Sequence, residues 1–343
     1  MDESLRFVER PFSQAEWTDI VSGFEDLSLM QTWEYGAAFS TDERWHIVRG
    51  VFERAGERVG AVQAVTRRAP VLAGGLVWIN RGPLWRRSGG TDPRIVGDLL
   101  RALRRHWVKD RGMYLRIAPA AGANELDPAS AESAGYGVAP DGNGWVSARL
   151  DLSSSLDALR AGLDKTWRNS LANAERRGLE VLPDSAESFD LVLSIYSRQH
   201  AAHPYRTTVT PEFLRRLQNR LPSGRKLLAF TARDRGQTLG GVLIARSGST
   251  GEYLVGAIED SGRAVNAGQL LLWEAVSRLK SLGFRCLDLG GMDPRYTSEG
   301  VMRFKSGLNG RPYTYIGEFE ASNRSWTNRA VRWRVSRARK GIA

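Results

Sequence analysis

The 343-residue chain contains little cysteine and no long apolar stretch. Cys286 is the single cysteine, so no disulfide can form within the chain. Its apolar surroundings indicate a packing residue and not a nucleophile. No apolar run approaches the roughly 20 residues of a membrane-spanning helix. The first residues are acidic and lack an apolar core, which argues against a secretory signal. These absences favour a cytoplasmic protein.

Acidic residues and histidines are also comparatively few. The chain has 49 Lys and Arg against 38 Asp and Glu, which gives a formal net charge of +11. This excess favours an anionic partner such as nucleic acid, a phosphorylated substrate or anionic lipid, but it also fits an arginine-rich solvated surface. His200 and His203 have the spacing of a metal-binding pair, but no cysteine or carboxylate completes a site, so no metal is predicted.

Strand and helix signals occur in the same order twice along the chain. Tight turns within Ala55–Val62 and Arg235–Val242 each join two strands, and each is followed by a third strand, an amphipathic helix and another strand. The alternative is that both turns are merely common hairpins. The repeat predicts layered α/β structure in two lobes, residues 1–150 and 151–322, with a cleft between them, and a basic amphipathic helix at 323–343.

The segment from Val265 to Lys305 contains the most informative local pattern. An amphipathic helix leads to a short apolar strand beginning at Cys286, then to Gly290-Gly291 and a basic segment that ends near Lys305. The far end of such a strand is where α/β folds usually bind ligands. We therefore expect a ligand site around the two glycines.

A three-strand meander followed by a helix and a strand resembles the core of the N-acetyltransferase-like (GNAT) fold. Enzymes with that fold usually hold the pyrophosphate of coenzyme A on a glycine-rich turn at the helix N-terminus. The corresponding turn here, Arg263–Gly268, has Asn266 in place of the middle glycine, and residues 89–94 of the first half fit no better. The sequence therefore argues against coenzyme A at either turn.

Several further motifs, taken in order, resemble those of the Fem-type (FemABX) aminoacyltransferases. They are Gln31-Thr32-Trp33 followed by Gly36, Asn80-Arg81-Gly82-Pro83, the helix from Lys165 to Gly178, Gly256-Ala257, the helix from Leu270 to Ala275, Leu287 to Gly291, and Phe304-Lys305. The likeness runs from about residue 5 to about residue 320. It implies an α/β fold of two tandem GNAT-like domains, without the long coiled-coil arm of some family members.

The resemblance implies transfer of an aminoacyl group from aminoacyl-tRNA to an amine. The acceptor would be a peptidoglycan precursor peptide or a small peptide natural product. Aminoacyl-tRNA would be the co-substrate, and no cofactor is predicted. Two alternatives stay open: an acyl-CoA-dependent N-acyltransferase, and an RNA- or membrane-binding protein without catalysis.

The resemblance also indicates candidate site residues. Lys305 is expected to act on the ester carbonyl or the terminal phosphate of tRNA. Asp288 would orient groups or take a proton, or make only a structural hydrogen bond. The candidates for substrate binding are Gln31, Trp33, Tyr205, Arg206, Tyr253 and Phe304, and those for tRNA binding are Arg303, Arg332 and Arg334. The planar fork of Arg206 suits a diphosphate.

The last part of the chain, residues 323–340, has many basic residues and no acidic one. Trp326, Ala330 and Trp333 share one face if this segment is helical. Such a helix fits RNA phosphates, an anionic membrane or simple packing on the protein body. The predicted location is the cytoplasm, at the inner face of the membrane if the helix binds lipid.

Overall fold

The structure is a computed structural model, which describes residues 5–39, 44–68, 74–87, 90, 94–140, 142–202, 207–323 and 325–340. The strands are β1 (Arg6–Glu9), β2 (His46–Arg54), β3 (Glu57–Arg68), β4 (Gly75–Asn80), β5 (Tyr114–Ala118), β6 (Gly137–Val138), β7 (Val146–Asp151), β8 (Glu180–Leu182), β9 (Leu228–Asp234), β10 (Gln237–Ser247), β11 (Thr250–Ile258), β12 (Cys286–Asp288), β13 (Arg311–Thr314) and β14 (Phe319–Ala321). The α-helices are α1 (Gln14–Ser22), α2 (Trp33–Phe39), α3 (Ile95–Arg104), α4 (Pro128–Ser133), α5 (Leu156–Ala161), α6 (Lys165–Arg176), α7 (Ala186–Ala202), α8 (Pro211–Arg220), α9 (Asp260–Ala264), α10 (Ala267–Ser281), α11 (Glu299–Ser306) and α12 (Trp326–Lys340).

The chain forms two compact units. The first contains Met1–Trp145 and Thr314–Ala343, and the second contains Val146–Tyr313. This division differs from the predicted boundaries at 150 and 322. The reason is strand pairing: β7 joins the sheet of the second unit beside β12, and β14 joins the sheet of the first unit beside β5. The C-terminal helix α12 belongs to the first unit instead of forming a separate segment.

The first unit contains a seven-stranded sheet in the order β1-β2-β3-β4-β5-β14-β6. Strands β4 and β5 are parallel, and the other pairs are antiparallel. Helix α3 presents Leu99 and Leu103, which are fully buried, to a core that also contains Ile79 and Ile117 of the sheet. A second cluster packs α1 and the loop that follows it against β2 and β3, around the fully buried Trp17.

The second unit repeats this arrangement. Its sheet has the order β13-β7-β12-β11-β10-β9-β8, and β11 and β12 form the parallel pair. Helix α10 buries Leu272, Val276 and Leu279, whose spacing of three and four residues puts them on one face against the sheet. The two units therefore share one topology, which confirms the predicted duplication and the tandem GNAT-like α/β fold.

Some elements lack a sequence pattern and differ from prediction. Helix α4 and strand β6 lie between Pro119 and Gly144, a stretch rich in Ala, Gly, Asp and Pro, whose composition predicts loops. The basic segment that ends near Lys305 forms helix α11, for which the sequence indicates no secondary structure. Strand β13 has three exposed residues of four, so no hydrophobic alternation marks it in the sequence. Among the described residues, no helix is long and apolar enough to cross a bilayer.

Candidate functional site

The sheet of the second unit opens between its two parallel strands. Strand β11 pairs with β12 only over Thr250–Glu252, and β12 ends at Asp288 while β11 continues to Ile258. On its other side β11 pairs with β10 through a β-bulge, because Leu243 pairs with Val255 and Ile244 with Tyr253. A bulge bends and twists a strand, and here it lies where β11 leaves its neighbour.

A cavity of about 710 Å³ lies at this opening. Its lining comes from the open part of β11, the N-terminal end of α10, and helices α7, α9 and α11. The lining residues include Tyr196, Gln199, Tyr253, Gly256, Arg263, Asn266, Gln269, Phe304 and Lys305. None of the described lining residues is acidic, whereas Arg263 and Lys305 are basic. The cavity therefore suits an electron-rich or anionic ligand.

Lys305 extends from α11 to the edge of this cavity and is only 7% exposed. Its Nζ donates a hydrogen bond to the Gly291 carbonyl at 2.8 Å and lies 5.3 Å from the centre of the Tyr253 ring. Burial lowers the pKa of Lys305 to about 8, although the negative charge of Asp288 opposes the shift. Near neutral pH the side chain is therefore a poorly hydrated cation that can lose its proton in a mildly basic solution.

Asp288 anchors the turn that contacts Lys305. One carboxylate oxygen accepts hydrogen bonds from the Ser147 hydroxyl at 2.7 Å and the Gly290 N–H at 2.9 Å, and the other accepts from the Tyr313 hydroxyl. The Arg149 Nε lies 3.7 Å from the second oxygen. Because these donors occupy the carboxylate, the contacts favour the orienting role of Asp288 over proton removal.

Tyr253 and Phe304 line the cavity together with Lys305. The Tyr253 hydroxyl lies so close to Gly256 that a Cβ at that position would be 1.7 Å from it. Burial raises the pKa of Tyr253, so its hydroxyl stays protonated and can donate a hydrogen bond. Phe304 packs near Trp167 at a ring distance of 6.3 Å, and the Trp167 Nε1–H donates to the Phe304 carbonyl.

Asn266 stands in place of the middle glycine of the turn, and its backbone adopts a conformation typical of glycine. It has a left-handed backbone with φ of 61° at the N-cap of α10, a conformation that asparagine tolerates better than most residues. Its side chain makes no capping hydrogen bond, and the residue lines the cavity. Asn266 thus meets the backbone requirement of a glycine while adding an amide to the cavity.

Two predicted substrate contacts lie in the first unit instead. Gln31 is fully buried, and its amide bonds to the backbone of Gln63 and to the Asn80 carbonyl. The polar atoms of Gln31 therefore hold the Asn80 turn, and its binding of substrate stays a prediction. Trp33 is half-buried, and the Arg49 guanidinium covers its ring at 3.7 Å.

The remaining predicted residues are scattered. Tyr205 and Arg206 lie outside the described residues, as does His203. Arg303 is exposed on α11 and pairs with Glu299. In the first unit, Arg332 pairs with Glu320, while Arg334 is exposed on α12.

Several contacts of the site were not predicted. Tyr196 and Gln199 line the cavity from α7, but their sequence pattern is that of an ordinary helix. Ser147 and Tyr313 meet Asp288 from β7 and β13, and Ser147 is 141 residues away along the chain. No local motif indicates such a distant partner.

In the first unit, the equivalent pair of parallel strands, β4 and β5, stays closed. Strands β4 and β5 pair in register from Leu76 with Tyr114 to Asn80 with Ala118. The next residue, Arg81, also donates its N–H to the Ala118 carbonyl at 2.8 Å. The parallel strands of the first unit therefore stay hydrogen-bonded to their ends, whereas those of the second unit separate.

Comparisons with known proteins agree with this architecture. Residues 162–306 match the profile of the acetyltransferase (GNAT) domain family. No curated protein sequence matches the chain. The solved structure of FemX aligns with a TM-score of 0.79 at 15% identity, over 95% of this chain and 100% of FemX.

Two further structures align over most of the chain. The C-terminal DUF2156 domain of a protein assigned as a lysylphosphatidylglycerol synthetase from Agrobacterium fabrum has a TM-score of 0.56 at 15% identity, covering 95% of this chain and 96% of that one. A tandem GNAT protein from the clavulanic acid biosynthesis pathway has a TM-score of 0.52 at 15% identity, covering 93% and 98%. The chain therefore has a tandem GNAT fold of the Fem type, with an acyltransferase (GNAT) domain in its second unit.

Proposed function

We propose that this protein is an aminoacyltransferase that moves the aminoacyl group of an aminoacyl-tRNA to the amine of a peptide acceptor. The supporting observation is the buried cation of Lys305 at a cavity without described acidic residues. The fold shared with FemX and the net charge of +11 also support it. The acceptor is a peptidoglycan precursor peptide or a small peptide natural product.

The proposed reaction is aminolysis of an ester. The amine nitrogen attacks the ester carbonyl carbon, an amide C–N bond forms, and the C–O bond to the terminal ribose breaks. The amine loses a proton and the ribose oxygen gains one. The ester is already activated, so the reaction calls for no metal or coenzyme.

The residues of the cavity supply alignment and charge stabilisation in this proposal. The Lys305 ammonium stabilises the negative charge that develops on the carbonyl oxygen, and the Tyr253 hydroxyl is a second donor. One such donor contributes about 3–4 kcal/mol to lowering the barrier. Alignment of the amine and the ester by the open edge of β11 can contribute about 7–11 kcal/mol.

A second candidate function is N-acyl transfer from acyl-coenzyme A. The observation in its favour is that the N-terminal end of α10, with Asn266 and Gly268, opens onto the same cavity. Backbone N–H groups at a helix N-terminus bind phosphate. Both reactions would use Lys305 in the same cavity, so the identity of the acyl donor distinguishes them.

The deciding experiment supplies both donors to the intact protein. A pool of tRNA charged with radiolabelled amino acids is incubated with peptide amine acceptors, with and without prior RNase treatment. We expect label on the acceptor, its loss after RNase treatment, and at least about a hundredfold lower rate in Lys305→Gln.

Binding of acyl-coenzyme A is measured in parallel by calorimetry. Saturable binding that Asn266→Trp abolishes, together with no RNase-sensitive transfer to any acceptor, would replace our proposal by the second candidate. Arg215→Gln is the matched control for altered charge, because Arg215 is an exposed residue of the second unit that does not line the cavity.

A further inference from the structure

Helix α12 is fixed to the first unit along one side. Thr327 is 6% exposed and Asn328 is 1% exposed. The Asn328 side chain donates a hydrogen bond to the Asn323 side-chain oxygen at 2.6 Å, and Arg332 pairs with Glu320 of β14 at 2.6 Å. These contacts hold the helix in one rotation about its own axis.

The opposite side of α12 exposes two large aromatic residues. Trp326 is 65% exposed and Trp333 is 59% exposed. They are seven residues apart, so they lie two turns apart on one line, at a separation of about 10.5 Å. Large apolar side chains are normally withdrawn from water, and an aligned exposed pair marks an interaction surface better than scattered single residues do.

Positive charge surrounds this aromatic pair. Arg329 and Arg337 are exposed, and α12 contains no acidic residue. The Arg337 guanidinium lies 5.2 Å from the centre of the Trp333 ring. We call Trp326, Arg329, Trp333 and Arg337 the outward face of α12.

We propose that the outward face of α12 docks on an anionic phospholipid bilayer. Tryptophan favours the headgroup level of a membrane, where its ring is buried and its N–H stays hydrated. The arginines are attracted to anionic headgroups. Since no helix among the described residues could span a bilayer, the contact is peripheral.

Geometry favours a membrane over RNA as the partner. Two rings on one line, about 10.5 Å apart, can enter one flat surface together. Stacking on RNA needs unpaired bases and free ring faces, whereas Arg337 already lies over Trp333. The docking proposal does not depend on the transfer reaction, so either can fail alone.

Vesicle flotation of the full-length protein tests the docking. One set of vesicles contains phosphatidylcholine alone, and the other contains equal parts of phosphatidylcholine and phosphatidylglycerol. We expect binding to the anionic vesicles and little to the neutral ones. Trp326→Ala with Trp333→Ala should weaken it by about tenfold, and Arg329→Gln or Arg337→Gln by about fivefold each.

The control and the contrary outcomes are equally defined. Tyr296→Ala removes an aromatic residue that is 57% exposed in the second unit and should leave binding unchanged. Unchanged thermal unfolding of the double tryptophan variant shows that it is folded. Wild-type affinity of that variant for anionic vesicles overturns the proposal, as does tryptophan-dependent binding of tRNA without any binding of vesicles.

Discussion

At the scale of single residues, the burial of the Lys305 ammonium dominates the site. A charged group loses hydration on burial, and Lys305 recovers only part of it through the Gly291 carbonyl and the Tyr253 ring. Its pKa accordingly falls from 10.5 to about 8. This cation therefore reduces the free energy of unfolding for as long as it keeps its proton.

The pKa of Lys305 predicts a dependence of stability on pH. Between pH about 8 and pH 10.5 the unfolded chain binds more protons at this residue than the folded chain, so stability rises with pH. The gain attributable to Lys305 is of the order of 3 kcal/mol. Urea unfolding of the wild type and of Lys305→Met across this range measures it, and a constant difference between the two proteins would contradict it.

The pKa of Lys305 also predicts how the transfer activity changes at alkaline pH. If the ammonium stabilises the oxyanion, kcat/KM falls as pH rises through about 8, because the cation disappears. Lys305→Arg keeps a positive charge at higher pH, so its falling limb should shift upward while its maximal rate decreases. A rate that rises through pH 8 in the wild type but not in Lys305→Arg would instead identify the neutral amine of Lys305 as a base.

Gly290 and Gly283 offer a matched test of the turn beneath Lys305. Both have a left-handed backbone, with φ of 69° and 79°. A Cβ at Gly283 meets nothing within 4 Å, whereas one at Gly290 would be 2.6 Å from the Tyr253 carbonyl oxygen. Gly283→Ala should therefore lower the free energy of unfolding by about 1 kcal/mol, and Gly290→Ala by more.

The functional readout separates the two glycines further. Gly290→Ala should also lower the transfer rate, because a shift of this turn moves the Gly291 carbonyl away from Lys305. Gly283 follows the C-terminal end of α10, far from the cavity lining. Gly283→Ala should therefore keep the transfer rate of the wild type. Chemical denaturation and initial rates measure both effects, and equal behaviour of the two variants would count against the proposed role of the turn.

At the scale of elements, the two sheets are completed by strands from unexpected places in the chain. β7 follows the first unit in sequence but pairs with β12, and β14 follows the second unit but pairs with β5. Sequence order alone would assign each strand to its predecessor. Phe319 in β14 is 1% exposed and Leu150 in β7 is 7% exposed, so each adds to the core of the unit that it joins.

Strand pairing predicts where core substitutions act. Phe319→Ala should lower stability by about 3–5 kcal/mol and reduce hydrogen-exchange protection in β5 while leaving β12 protected. Leu150→Ala should lower stability by about 2–5 kcal/mol and reduce hydrogen-exchange protection in β12 while leaving β5 protected. Hydrogen exchange followed by mass spectrometry resolves the two strands, and loss of protection in the sequence-adjacent unit would refute the assignment.

Helices α10 and α11 show which parts of this site a hydrophobic sequence pattern can predict. The apolar spacing of α10 predicts both its existence and its buried face, since Leu272, Val276 and Leu279 alone outline the stripe. α11 has eight residues, of which Lys305 is the only buried one, while Met302 and Phe304 pack partly buried against the core. A hydrophobic pattern cannot reveal a helix whose buried residue is charged.

At the scale of the whole molecule, the net charge of +11 predicts salt-sensitive binding of tRNA. Each phosphate neutralised by a cation releases counterions, so affinity should fall at least about tenfold between about 50 and 200 mM salt. If Arg303 contacts a phosphate, Arg303→Gln lowers the slope of the salt dependence by about one. Fluorescence titration with labelled tRNA at several salt concentrations measures the slope.

Arg215→Gln is the matched control for that slope, because Arg215 is likewise an exposed arginine paired with an acid in the second unit. Its slope should equal that of the wild type. A slope reduced equally by both substitutions would show that general charge, and not a contact of Arg303, governs binding. Affinity independent of salt would argue against tRNA as the donor.

The sequence by itself determined the duplicated order of elements and the tandem GNAT fold, and its resemblance to the Fem-type family indicated Lys305 as a candidate, because these depend on local spacing and on short motifs. Only the tertiary structure decided that Gln31 is buried and that Asp288 accepts a hydrogen bond from Ser147, 141 residues away. It also decided that β7 joins the sheet of the second unit and β14 the sheet of the first. Such contacts depend on which strands pair and which side chains the folded core excludes from water, and no short window of sequence contains that information.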